Sequence, residues 1–155
     1  MIPELVKIDV SSPASIANIG AGFDCLALAV SWQGKLRNRF TVYADLRALE
    51  NMEKRFEIIL NGIYQHADAA RLTSPNTNLF AASFKYVCED LCWGMRIKDP
   101  ICPILIDQVV DIPPVRGLGS SSSACVAGVV AAVEFLKSHG CVVGPGGRRR
   151  ESNRV

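Results

Sequence analysis

Arg116-Gly117-Leu118-Gly119-Ser120-Ser121-Ser122-Ser123-Ala124 puts two glycines within three positions, then four serines at the threshold of an apolar run. Glycines at such spacing let a backbone turn tightly and approach a ligand closely. Serines opening a helix present free N–H groups at the positive end of its dipole, a ready site for an anion such as a phosphate. The segment lacks the Gly-Lys-Ser/Thr ending of a Walker loop, and no lysine stands ready to neutralise β and γ phosphates. A flexible linker is the competing reading, but the apolar residues that follow, Ala124 to Leu136, predict a packed helix.

Working outward, Ile104 to Val110 is a β-rich run that leads through Asp111-Ile112-Pro113-Pro114 into the glycine segment. Upstream, Leu5 to Val10, Ala27 to Trp32, Phe40 to Ala44 and Phe56 to Leu60 predict four further strands, mostly antiparallel. Ser74-Pro75-Asn76 predicts a turn. Thr77 or Asn78 then caps a helix whose apolar residues Leu79, Phe80, Phe84, Val87, Cys88, Leu91 and Cys92 share one side, with Trp93-Gly94 ending it. The fold class is therefore α+β, a mixed, largely antiparallel sheet packed with helices.

The chain has 155 residues, is 49% hydrophobic and 21% charged, and so forms one core, with no room for two. Its net charge of +2 arises in the last eight residues, where Arg148, Arg149, Arg150 and Arg154 face only Glu151. Without them, 13 basic side chains meet 14 acidic ones, which predicts no nucleic-acid partner and no anionic membrane surface. The apolar stretch from Ala124 to Val133 is shorter than a membrane span. Six cysteines, at 25, 88, 92, 102, 125 and 141, lie mostly in apolar segments and read as reduced core residues of a cytoplasmic protein. Cys88 and Cys92 could share a metal one helical turn apart, but no further pair has zinc-ligand spacing.

Two further features bear on chemistry. Pro13-Ala14-Ser15-Ile16-Ala17-Asn18-Ile19-Gly20-Ala21-Gly22-Phe23-Asp24 reads as a close-approach loop between strands, with Asn18 able to donate and accept and Asp24 to accept. Local turn bonding explains each residue equally well. Glu134, the one charge in the apolar length of the last helix, is either a solvated carboxylate or a Mg²⁺ ligand.

Taken together, Pro-Ala-Ser-x-Ala-Asn-x-Gly-x-Gly-Phe-Asp and Ile112-Pro113-x-x-x-Gly117-Leu118-Gly119-Ser120-Ser121-Ser122 resemble the first and second signature motifs of the GHMP small-molecule kinases. The first motif is most similar to the homoserine kinase branch. The resemblance implies the two-layer, ribosomal-protein-like N-terminal domain of that family. It further implies ATP held by Pro113, Arg116, Gly117, Leu118, Gly119 and Ser120 to Ser123, with Asn78 lining the adenine pocket. Mg²⁺ would sit on Ser121 and Glu134, and L-homoserine on Asn18 and Asp24, with Asp24 orienting the reacting hydroxyl as the catalytic group. On that basis Asp24→Ala should remove homoserine binding alone and Gly119→Val ATP binding alone.

The resemblance covers about residues 5 to 138. Ala27 stands where relatives commonly have glycine, and Pro114 and Arg116 are loop variants. Nothing after His139 resembles the family's C-terminal domain or third, Gly-rich motif. Residues 1–139 therefore read as the ATP-binding domain and 140–155 as a disordered tail of a truncated chain, of doubtful activity alone. Apolar faces left open by the missing half could be covered in a homodimer. The alternatives are an inactive nucleotide-binding fragment and a kinase for another small alcohol.

Overall fold

A computed structural model describes residues 5–45, 56–62, 72–92 and 104–138. Within them lie β1 (Leu5–Ile19), β2 (Gly22–Val30), β3 (Arg37–Asp45), β4 (Phe56–Gly62), α1 (Leu79–Cys92), β5 (Ile104–Val110) and α2 (Ser120–Ser138). The five strands form one sheet in the order β2-β1-β3-β5-β4. All pairings are antiparallel except β4 with β5, which is parallel. A parallel pair needs a long crossover, and here α1 lies on it. Both helices join the sheet in one core, so the α+β two-layer expectation holds.

Alternation decides which face of the sheet is covered. In β5 the residues Ile104, Ile106, Gln108 and Val110 are buried and those between them are not. In β3, Asn38, Phe40, Val42 and Ala44 do the same. Onto this face α1 brings Phe80, Ala81, Phe84 and Cys88, and α2 brings Ala127, Ala131, Ala132, Phe135 and Leu136. Phe40 and Phe80 stack at 4.4 Å between ring centroids, and Phe84 meets Phe135 at 5.4 Å. Gly128 lets the helices touch, because a Cβ there would run into the carbonyl oxygen of Phe80 and lie 3.0 Å from Ser83 Cβ.

Two expectations change. The segment from Pro13 to Asp24 is a β-hairpin, because β1 continues to Ile19 and pairs with β2 from Ala14↔Val30 to Ile19↔Gly22 around a turn at Gly20-Ala21. Ala14 is buried, but Ile16, Ala17, Ala21 and Phe23 are exposed, so no apolar alternation announced the strand. The predicted strand at Ala27 to Trp32 accordingly begins earlier, at Gly22, and ends at Val30. The last helix runs from Ser120 to Ser138, with the serines forming its first turn as expected.

At 19 residues, α2 is long and apolar enough to cross a membrane by length and composition, which the shorter predicted stretch was not. One side of it packs on the sheet. Ile16, Phe23, Leu26, Leu28 and Trp32 around the hairpin, and Val126, Val129 and Val130 on α2, are exposed. Cys88 is fully buried as expected, whereas Cys25 is exposed on β2 and Cys125 is half-buried. The side chain of Cys92, and Cys102, Cys141, Trp93-Gly94 and the 140–155 segment, lie outside the described residues.

The uncovered face of the sheet carries polar pairs. Thr41 Oγ1 donates to Asp9 Oδ1 at 2.7 Å, and Lys7 Nζ lies 3.0 Å from Asp9 Oδ2. The Thr41 hydrogen bond first, and then that from Lys7, holds the Asp9 carboxyl below the usual carboxylate range. Because the folded state lowers this pKa, the contribution is complete above the unfolded value and disappears as pH falls through the lowered one. A carboxyl NMR titration should find Asp9 as a low-titrating carboxylate, and Thr41→Val should move it back toward the ordinary value. Both side chains are exposed, which keeps the pair's effect on stability small.

Candidate functional site

Gly119 is the N-cap of α2, since the amide of Ser123 donates to its carbonyl at 2.8 Å. The amides of Ser120, Ser121 and Ser122 therefore precede the first intrahelical bond and are free for a ligand. No acidic residue stands in the first turn to compete with an anion. Gly117 and Gly119 both have positive φ, +70° and +66°, which the sharp approach to the helix requires.

This loop is pinned to β1. Near the start of β3, the amide of Ser15 donates to Leu118 O at 3.0 Å, and the buried Ser123 Oγ donates to Ser12 O at 3.2 Å. A Cβ on Gly119 would collide with Ser15 Oγ and lie 3.0 Å from Ser15 O. The two motif segments, a hundred residues apart in sequence, are thus brought into contact.

Beside the loop opens a cavity of about 360 Å³. Pro114, Val115, Ser120, Ser121 and Ala124 line it from the glycine loop and helix start, and Phe40, Leu72, Leu79 and Val110 give it apolar walls. Three buried carboxamides, Asn38, Asn78 and Gln108, supply the polar groups. The volume is that of an ordinary small-molecule pocket. An anionic group at the helix start would leave the apolar end for a flat ring system.

The predicted site residues divide. Ser120 and Ser121 are at the cavity, and Gly117, Leu118, Gly119, Ser122 and Ser123 form the turn and helix start beside it. Ser123 is buried with its hydroxyl directed to β1, so it contributes to the clamp and not a ligand contact from its side chain. Pro113 is half-buried, and Arg116 is exposed on the loop. Asn78 lines the cavity, but as the N-cap of α1: its Oδ1 accepts from Ala81 N at 3.0 Å, and its Nδ2 donates to Leu72 O and to Gln108 Oε1 at 2.6 and 2.9 Å. Both amide hydrogens are occupied, so it has no donor left for a base.

Asn18 is exposed at an irregularity in β1 with φ of +60°. It lies three residues beyond Ser15, about 10 Å along a strand, and does not line the cavity. Asp24 is a residue of β2, and its side chain lies outside the described part of the structure. Glu134 is the clear correction. It follows Ser121 by 13 residues in one helix, which at 1.5 Å per residue separates them by about 20 Å. The two therefore cannot ligate one Mg²⁺. Glu134 is instead exposed and paired with Lys137 at 2.6 Å. Among the described residues no group of three or more His, Cys, Asp or Glu could hold a metal.

Asn38 and Gln108 escaped the sequence reading. Their signal was parity: each occupies the inward register of its strand, in line with Phe40, Val42 and Ala44 or with Ile104, Ile106 and Val110. A polar residue in such a position is buried by the pleat whatever its hydropathy.

This fold is that of the GHMP kinase N-terminal domain, and residues 78–141 match the model of the GHMP kinases N terminal domain. Within that class the sequence is similar to homoserine kinases. It is 38% identical over 132 residues to the homoserine kinase of Synechococcus sp. (strain WH7803) and 37% over 131 residues to that of strain CC9311. Each match covers 84% of this chain and 35% of the relative, so the chain spans about a third of those relatives' length. The crystal structure of homoserine kinase from Cytophaga hutchinsonii superposes with a TM-score of 0.62 at 22% identity, over 93% of this chain and 38% of that one. Mevalonate kinase from Methanococcus jannaschii shares the fold at a TM-score of 0.53 and 16% identity, over 86% and 41%.

Proposed function

We propose that this chain is the nucleotide-binding part of a small-molecule kinase of the homoserine kinase type. The observation that carries the reading is the cavity of about 360 Å³ with the free amides of α2 at its mouth. Phosphoryl transfer asks a protein chiefly for positioning and for stabilisation of charge on phosphate oxygens. The glycine turn and the amides of Ser120 to Ser122 answer the second requirement for ATP. The apolar cavity answers part of the first by fixing the base and sugar.

The acceptor in this reading is the side-chain hydroxyl of L-homoserine, held by Asn18 and Asp24, and the substrate is the one in the relatives' name, homoserine kinase. Asp24 serves there as an orienting group, since an ordinary carboxylate is a weak base. Mg²⁺ supplies charge neutralisation when it arrives with the nucleotide. At the helix start the Ser121 hydroxyl would hold it, without Glu134, which is remote. An ion held by phosphate oxygens, water and one hydroxyl matches the usual behaviour of Mg²⁺.

That distance between Ser121 and Glu134 favours a second reading, a module that binds nucleotide without turning it over. Calorimetry with Mg-ATP, with and without L-homoserine, coupled to an ADP-release assay, separates the two. Binding with homoserine-dependent ADP release supports a kinase in this chain. Binding without release supports the module, and absence of Mg-ATP binding would overturn both.

A further inference from the structure

Asn38 lies on the inward face of β3 and is 1% exposed, yet it lines the cavity. Its Oδ1 accepts from the backbone amides of Asp111 and Ile112, each at 3.1 Å. Two N–H donors on one atom identify that atom as the oxygen and fix the amide's orientation. Nδ2 and its two hydrogens are left with no acceptor among the described residues. Gln108 repeats the pattern: its Oε1 is taken by Asn78, and one Nε2 hydrogen goes to Leu72 O at 3.1 Å, which leaves one hydrogen over.

The polar surface of the cavity is therefore unbalanced. The carboxamide oxygens of Asn38, Asn78 and Gln108 all accept from protein donors, while donors of Asn38 and Gln108 remain unmet. A donor that opens onto a cavity has the ligand as its natural acceptor.

We propose that Asn38 is a specificity-determining residue whose Nδ2 donates to an acceptor atom on a purine base in this cavity. The inference rests on the nucleotide-binding reading above and deepens it. A purine offers ring nitrogens as acceptors, whereas its exocyclic amine is a donor and needs an oxygen that Asn38 has already given to the backbone. Asn38 thus reads the ring and not the amine. Its dual role follows from one side chain: the oxygen holds the start of the loop at Asp111 and Ile112, and the nitrogen meets the base.

Asn38→Asp tests this directly, because aspartate keeps an oxygen for the two backbone amides and replaces the donors with a carboxylate oxygen, which repels an acceptor on the base. Calorimetry on the full chain should show Mg-ATP binding weakened tenfold or more, with Mg-tripolyphosphate, which has no base, bound within twofold of its original affinity. Equal weakening of both ligands, or no change in either, would overturn the proposal. Should the variant not fold, the unaltered chain still decides: of 1-deaza-, 3-deaza- and 7-deaza-ATP, one should lose about tenfold, and equal binding of all three with ATP would sink the assignment. If the unaltered chain binds tripolyphosphate and ATP equally, the base is not read and this inference fails alone. If it binds neither, the nucleotide reading itself fails.

Discussion

Gly119→Val is expected to cost about 3–5 kcal/mol of stability, combining a left-handed backbone that a β-branched residue resists with overpacking against β1. The residue has φ of +66°, and its new Cβ would meet Ser15 Oγ and the Ser15 carbonyl oxygen, a backbone atom held in the sheet. Gly117→Ala is the control. It has nearly the same φ, +70°, but a Cβ there enters open space, so about 1–2 kcal/mol is expected from conformation alone. Urea unfolding of both variants gives the comparison. Equal losses would show that the glycine loop does not rest on Ser15. The structure also alters the functional expectation for Gly119→Val. Because Ser15 shares β1 with Asn18, the damage should reach both the ATP and the homoserine side, instead of ATP alone.

Asn78→Ala should destabilise the fold by about 2–4 kcal/mol, from a lost helix cap and from the buried Gln108 Oε1 left without its donor. One side chain caps α1 at Ala81, bonds to Leu72 O and fixes Gln108. Asn78→Asp separates these duties. Aspartate is an excellent cap, yet it offers no donor and sets a carboxylate against the oxygens of Leu72 and Gln108. It should therefore be no more stable than the alanine variant. Recovery to nearly the original stability in Asn78→Asp would show that capping is the whole of this residue's role.

Both cases mark how far local sequence carries. Asn78 was legible as a cap because the apolar spacing of α1 begins just after it, and the cap is what the structure contains. Its occupancy by Gln108 was not, because that partner comes from β5, thirty residues later. Glu134 illustrates the opposite error. Its place in an apolar helix made it conspicuous, but a helix extends 1.5 Å per residue, and a carboxylate four turns away cannot return to the ligand end.

The sequence by itself determined the α+β class, the start of α1 at Thr77 or Asn78 and the glycine turn, because these rest on near-neighbour effects: alternation, apolar spacing, positive φ and free amides. It also determined the family resemblance, because each of its two motifs is one unbroken stretch of sequence. Only the tertiary structure decided that these motifs meet at Ser15 and Gly119, that Pro13 to Asp24 is a paired hairpin, and that Ser121 and Glu134 stand apart. It alone brought Asn38, Asn78 and Gln108 to one cavity. The physical reason is that strand pairing and layer packing join residues by space, and no periodicity within a segment records which distant oxygen will occupy a given donor.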